Sequence, residues 1–315
     1  MNFTRRDMGK LALAALPAAR LLAKPNSKWG GVQIGLNVPY SLHGLPGSAD
    51  DILRDMIQLN LSAAELRLQP VEAFLGSPAA NAPARTGRGP LTPEQEAARK
   101  AATEELRKWR LGLSMDGFKQ FRKKYEDAGV LIEIVKFDNI DRFTDEEVDY
   151  CFQLSKVLGA KAISCEIPLS QTKRLGAFAE KHKMMVGYHG HTNITSPEAF
   201  GKPESWETAF TYSKYNGANI DLGHFIAANN VSPAAFLEKH LERITHVHIK
   251  DRKLNNGPNT PFGQGDTPIK DILQMMSKRK WTFQGTIEFE YRVPEGSDVM
   301  TEIAKCVAYC KEALS

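Results

Sequence analysis

The 315 residues are 42% hydrophobic and 25% charged, the values of an ordinary soluble globular protein. Arg5, Arg6, Lys10 and Arg20 against Asp7 place +3 of the formal +4 charge in the first 23 residues. The remainder carries no basic patch that would argue for nucleic acid or an anionic membrane. Four cysteines are too few for a disulfide scaffold and are expected as free thiols.

Residues 4–10 read Thr-Arg-Arg-Asp-Met-Gly-Lys, followed by the apolar stretch Leu11–Ala19. A basic n-region before a short h-region is the pattern of an export signal. The paired arginines resemble the twin-arginine type. Residues 1–23 are therefore expected to be a targeting segment, with cleavage after Ala19 or Ala23 and a periplasmic or otherwise exported product. The apolar run falls short of the roughly 20 residues a spanning helix needs, so no stable membrane insertion is expected.

Past residue 30, short β-rich runs alternate with helical patterns, as repeated βα units require. The runs are Val32–Val38, Ala63–Leu68, Val130–Phe137, Lys161–Ile167, Met184–His191, Ala218–His224, Thr245–Lys250 and Gly285–Tyr291. Helices are expected over Ser48–Leu59, Pro93–Arg110, Met115–Ala128, Asp145–Leu158, Gln171–His182, Ser205–Tyr215, Pro233–His240, Pro268–Lys280 and Ser297–Leu314. Eight sequential units favour closure into a (β/α)8 TIM barrel spanning 30–315 over an open doubly wound sheet. An insertion at about 70–112, rich in Ala, Pro and Gly before a charged helix, reads either as a substrate lid or as a passive surface loop.

The strand ends carry the chemistry. Strand two ends in Glu65-Leu-Arg67 and strand four in Ser-Cys-Glu166; strand five ends in Gly-Tyr-His189-Gly-His191 and strand six in Asp221-Leu-Gly-His224. Strand seven reads His246-Val-His248-Ile-Lys250-Asp251-Arg252, and strand eight ends Ile-Glu288-Phe-Glu290-Tyr. Side chains alternate faces along a strand, so His189 and His191 share a face, as do His246 with His248 and Glu288 with Glu290. So many ionisable groups in one barrel end are costly to bury unless paired or bound to metal. A mixed imidazole and carboxylate set suits Mn²⁺, Fe²⁺, Co²⁺ or Zn²⁺.

The order Asp221-x-x-His224, His248-x-Lys-Asp251, Gly263-Gln-Gly265-Asp266 and Glu290 resembles the xylose-isomerase-like TIM barrels. That superfamily includes sugar isomerases and epimerases, inosose dehydratase and a DNA-repair AP endonuclease. The resemblance implies that Asp221, His248 and Glu290 are metal ligands and that His224 contacts substrate or a second metal. The family's remaining ligand is usually a Glu ending strand five. Here that place holds His189 or His191, and Glu166 from the neighbouring strand is the carboxylate available to replace it. The endonuclease reading is set aside, because its Asp-x-His pair after strand seven is replaced by Asn255–Phe262.

The expected reaction is isomerisation or epimerisation of a carbohydrate through an enediolate. Glu166 and Glu290 are the candidate bases, with His191, His224, Lys250 and Arg252 as further catalytic candidates. Expulsion of a β-substituent from the same intermediate would give a lyase or hydrolase acting on oxidised (keto) glycosides. A non-catalytic sugar-binding barrel is the third reading. Export favours unphosphorylated sugars, and the sequence contains no glycine-rich phosphate cradle. A small carbohydrate is the expected partner, nucleic acid is not, and a homo-oligomer is compatible with all three readings.

Overall fold

Each β-rich run becomes one strand of a single parallel sheet in the computed structural model, which describes residues 24–81 and 91–315. The strands are β1 (Val32–Val38), β2 (Ala63–Arg67), β3 (Leu131–Phe137), β4 (Ala162–Cys165), β5 (Met185–His189), β6 (Asn216–Asp221), β7 (Ile244–Ile249) and β8 (Gln284–Ile287). Each pairs with the next, and β1 returns to β8 through Ile34↔Gly285, Gly35↔Thr286 and Leu36↔Ile287. That last pairing closes the sheet and excludes the open alternative: the fold is a (β/α)8 TIM barrel. A short strand, Lys28–Trp29, adds antiparallel to the start of β1.

The helices are α1 (Ala49–Gln58), α2 (Leu68–Phe74), α3 (Pro93–Gly112), α4 (Asp116–Asp127), α5 (Asp145–Leu158), α6 (Thr172–His182), α7 (Pro203–Tyr212), α8 (Leu222–Asn229), α9 (Ala234–Lys239), α10 (Ile269–Lys278) and α11 (Val299–Ala313). Local sequence sets their starts. Ser48 caps α1, while Thr92 with Gln95 and Thr144 with Glu147 form capping boxes on α3 and α5. Such caps are worth about 1 kcal/mol each.

Strand alternation divides the barrel into two environments. One set of side chains, including Ile34, Leu36, Val135, Ile163, Ile220 and Val247, joins the apolar core beneath the helices. The other set is buried and polar: Asn37, Glu65, Ser164, Asn219, His248 and Thr286 are each fully enclosed. Barrel interiors are usually filled by branched apolar side chains. Here the interior is given over to groups that need partners.

The chain between β2 and β3 holds α2, α3 and α4. Arg110 near the end of α3 fixes this segment, placing Nε 2.7 Å and Nη2 3.1 Å from the two Glu72 carboxylate oxygens and Nη1 3.1 Å from Glu147 Oε1. All three residues are buried, so the insertion is tied at α2 and α5. Residues 82–90 of the insertion lie outside the described residues, as does the expected export segment 1–23. Among the described residues no helix is long and apolar enough to cross a membrane. The four cysteines are free and buried.

Four strands stop two residues or more before the expected end, the run read through Ile167 at Cys165 and the run read through His191 at His189. The run read through His224 stops at Asp221, because Asp221 Oδ1 accepts the His224 amide at 2.7 Å and caps α8. The run read through Tyr291 stops at Ile287, although Glu288 still donates its amide to Ile249 O at 3.1 Å.

Candidate active site

The C-terminal ends of β5, β6, β7 and β8 bring four buried donors together. Ligand atoms of His189, Asp221, His248 and Glu288 all lie within 4.8 Å of one another. His189 comes from the last position of β5, Asp221 from the last of β6 and His248 from the penultimate of β7. Among the described residues, Asp221 Oδ2, His248 Nδ1 and His189 Nδ1 are buried without a hydrogen bond of good geometry. Such atoms are costly to bury unless something takes them up.

A cation of the protein already stands among these acids. Lys250 Nζ is 2.9 Å from Asp221 Oδ2, 2.7 Å from Glu288 Oε2 and 2.7 Å from Glu290 Oε2. Burial alone would disfavour the ammonium, but the three carboxylates hold the Lys250 pKa well above its ordinary value. His248 lies between two acids, with Nδ1 3.1 Å from Glu288 Oε2 and Nε2 2.6 Å from Glu65 Oε2. Burial works against its charge; Glu288 and Glu65 outweigh it and push the imidazole up to about 10. His189 lacks such partners, and burial together with the nearby Lys136 charge keeps it neutral. The donor set is thus two imidazoles and two carboxylates around a point that favours positive charge, which fits a divalent first-row metal ion.

Glu288, not Glu290, is the strand-eight carboxylate in this quartet. Both point to the same face, but Glu290 lies two residues higher, at the rim. There Tyr40 donates its hydroxyl to Glu290 Oε1 at 2.5 Å and Asn259 Nδ2 donates to Oε2 at 3.2 Å. Glu166 does not complete the set either. It follows the end of β4, faces solvent, accepts Lys136 Nζ at 2.6 Å and lies 3.1 Å from His191 Nε2. Its Oε1 stays 4.0 Å from His189 Nε2. Burial raises the Glu166 carboxyl, yet His191 and Lys136 hold it well below the usual carboxylate range. The same hydrogen bond raises the exposed His191 imidazole above its ordinary value.

The remaining expected residues line the mouth. His191 and His224 have ring centroids 4.7 Å apart, and donor atoms of His224, Glu288 and Glu290 fall within 4.8 Å of one another. His224 Nε2 is 3.0 Å from Lys250 Nζ and its Nδ1 is 2.6 Å from Arg252 Nη1. Burial and the Lys250 charge keep that ring neutral. Arg252 is itself held by Gly257 O at 2.6 and 3.0 Å. Beside Glu290 opens a cavity of about 490 Å³ lined by Tyr40, His43, Asn259, Phe289 and Glu290, a size suited to a small ligand.

Asp251, next to Lys250, has a structural task. Its carboxylate accepts the amides of Gly263, Gly265 and Thr267 at 2.7, 2.9 and 3.2 Å, building the Gly263-Gln-Gly265-Asp266 turn. A Cβ on Gly265 would stand 2.0 Å from Asp251 Oδ1, so only glycine fits there.

Residues 148–310, which carry β4 to β8 and every donor of the quartet, match the family of xylose isomerase-like TIM barrels. The chain belongs to that family. Among the curated relatives of this xylose isomerase-like barrel is an inosose dehydratase from Clostridium beijerinckii, 28% identical over 125 residues, which are 38% of this chain and 35% of the relative. The match spans only about a third of the length of such curated relatives. A 3-keto-D-glucoside 4-epimerase from E. coli superposes with a TM-score of 0.54 at 12% identity, over 89% of this chain and 99% of that one. The IOLI protein with a bound zinc atom does so with a TM-score of 0.54 at 12% identity, over 89% and 95%. At such identities these two likenesses speak for the xylose isomerase-like fold alone.

Sequence reasoning passed over Glu288, Glu65 and Lys136 as site members. The sequence shows Glu65 and Glu288 as ionisable residues at strand ends without assigning them to the site.

Proposed function

We propose that this barrel is a divalent-metal-dependent enzyme that moves the proton α to a carbonyl in a carbohydrate, with isomerisation or epimerisation as the outcome. The observation that carries the reading is the convergence of His189, Asp221, His248 and Glu288 beside a ligand-sized cavity. A divalent ion held by those four residues would supply the Lewis acidity that makes the α-proton removable.

The protein's own groups then divide the remaining work. Glu290 reaches the cavity wall with both oxygens fixed by Tyr40 and Asn259, which suits a carboxylate that takes and returns a proton. Lys250 bridges Glu288 and Glu290 and offsets their mutual repulsion, and its charge lies where a developing oxyanion would be steadied. His191, whose pKa the Glu166 hydrogen bond raises, stands across His224 from Glu290. That exposed imidazole paired with a carboxylate favours a second reading, elimination: a proton donor on the far side of the site can protonate a departing hydroxyl or alkoxide. An inosose dehydratase among the relatives supports the same alternative.

The basic leader-like start of the chain supports an exported enzyme and therefore an unphosphorylated substrate, with free sugars and keto-glycosides as the two classes. The deciding experiment incubates metal-loaded protein with each class in D₂O and follows the substrate by NMR. Deuterium entering at the carbon next to the carbonyl supports the proposal, and the product separates isomerisation from elimination. Binding without exchange or turnover would favour a sugar-binding barrel and overturn it.

A further inference from the structure

We propose that Glu65 is a positioning residue for the metal site: its carboxylate takes the Nε2 proton of His248 and turns Nδ1 of that ring toward Asp221 and Glu288. The inference rests on the metal-dependent reading above.

The two nitrogens of His248 face opposite ways. Nδ1 is 3.1 Å from Glu288 Oε2 and 3.9 Å from Asp221 Oδ2, within the quartet. Nε2 points down the barrel to Glu65 Oε2 at 2.6 Å; Asn219 Nδ2 is 3.0 Å away, and because Asn219 Oδ1 is buried without a partner, the amide turned over would present an acceptor to the same Nε2–H. A gap of 2.6 Å is that of a shared proton. Two atoms bound to one metal ion at bond lengths of about 2.1 Å stand roughly 3 Å or more apart. The cluster of Glu65, His246 and His248 is therefore arranged as a hydrogen-bonded set rather than as a second metal site.

The backbone is shaped to make this contact. The pairing register of the barrel shifts at two places, where Glu133 of β3 is the extra residue opposite Ala64–Glu65 and Thr245 of β7 is the extra residue opposite Ala218–Asn219. Such irregularities re-aim a side chain. The pairings that resume after them are those of Glu65 and Asn219, whose side chains reach Nε2 of His248, and of His246, two residues before His248 on β7. Glu65 is fully enclosed, and its Oε1 has no hydrogen-bond partner among the described residues, so packing alone gives no reason for a carboxylate here. His246 Nε2 approaches the same Oε2 at 3.2 Å without a hydrogen bond of good geometry, while its Nδ1 lies 2.9 Å from Thr245 Oγ1. A carboxylate on the far nitrogen of a ligating imidazole fixes its tautomer and strengthens it as a donor. Losing one typically costs about 10–100-fold in metal affinity.

The test uses full-length protein loaded with Co²⁺ or Zn²⁺ and measures affinity by chelator competition. One ion per chain is expected in the wild type. Glu65→Gln keeps an acceptor without the charge and should weaken binding by about tenfold, and Glu65→Ala by about a hundredfold, with the visible bands of bound Co²⁺ shifting in both. Zinc-loaded wild type needs no variant: ¹⁵N NMR should place the His248 proton on Nε2 and the metal on Nδ1. Unchanged affinity and bands in Glu65→Gln, or a proton on Nδ1, would overturn the assignment. So would a second ion per chain that disappears with Glu65, since the residue would then be a ligand itself. Wild-type protein that takes up no divalent ion removes the metal-dependent reading and the role of Glu65 together. Metal-binding wild type with an indifferent Glu65→Gln removes only the latter.

Discussion

Lys250 and Glu288 are in direct contact at the floor of the site: Nζ lies 2.7 Å from Oε2, the same oxygen that His248 Nδ1 approaches at 3.1 Å. An internal ammonium and an external cation thus draw on one carboxylate. Lys250→Met should leave Asp221 and Glu288 buried without their counter-ion and lower the stability of metal-free protein by about 3 kcal/mol. Added Zn²⁺ should recover most of that loss, because the ion replaces the missing charge. Thermal unfolding with and without metal reads both numbers; equal destabilisation in the two states would show that Lys250 and the metal do not share the site.

Glu288 and Glu290 are separated by one residue, and the proposed function gives them different tasks. Glu288→Ala should abolish stoichiometric metal binding. Glu290→Ala should keep the metal and lose turnover by a factor of about 10²–10⁴, the range for a general acid or base. Metal analysis of the two purified variants checks the split, and loss of metal in Glu290→Ala alone would reverse the assignment.

Metal uptake should depend on pH through His248. In the metal-free protein the ring is pushed up to about 10 by Glu288 and Glu65. Its folded-state pKa is raised, so its contribution to stability is complete below its ordinary value near 6.5 and is lost as pH rises through about 10. A metal on Nδ1 must displace that proton. Apparent affinity should therefore rise between pH 6 and 9, by about tenfold per unit for each proton released. Calorimetry in buffers of different ionisation enthalpy counts the proton; zero release would exclude Nδ1 as a donor.

Away from the chemistry, Arg110 pairs with both buried Glu72 and buried Glu147, the one cation between them among the described residues. Arg110→Ala should cost about 3–5 kcal/mol, as expected for stranding buried charge. The metal stoichiometry of the folded fraction should stay at the wild-type value. Urea unfolding gives the first quantity and metal analysis of the soluble protein the second.

The barrel was legible because period-two runs bounded by turn residues announce strands regardless of what fills the interior. His189, Asp221 and His248 were legible as strand-end ionisable groups. The choice between Glu288 and Glu290 was not, since both lie on one face and only the level at which β8 stops pairing separates them. Glu65 was legible as an ionisable residue ending strand two, but its contact with His248 across the barrel was not, since no local pattern announces it. Lys136 was hidden because a lysine in Ile-Glu-Ile-Val-Lys-Phe reads as solvent-facing, whereas here it is almost fully enclosed on Glu166. α8 was missed because its cap, Asp221, also reads as the end of a strand.

Asp221 serves two structures with two oxygens: Oδ1 receives the His224 amide, while Oδ2 faces the quartet. A local event at the chemistry is therefore wired to the first turn of a helix. The His224 N–H becomes a built-in reporter, its hydrogen exchange slowing when Oδ2 is engaged and quickening when it is released. Replacement by glutamate would move one oxygen or the other out of place, so this position admits no longer acid without loosening either the site or the helix.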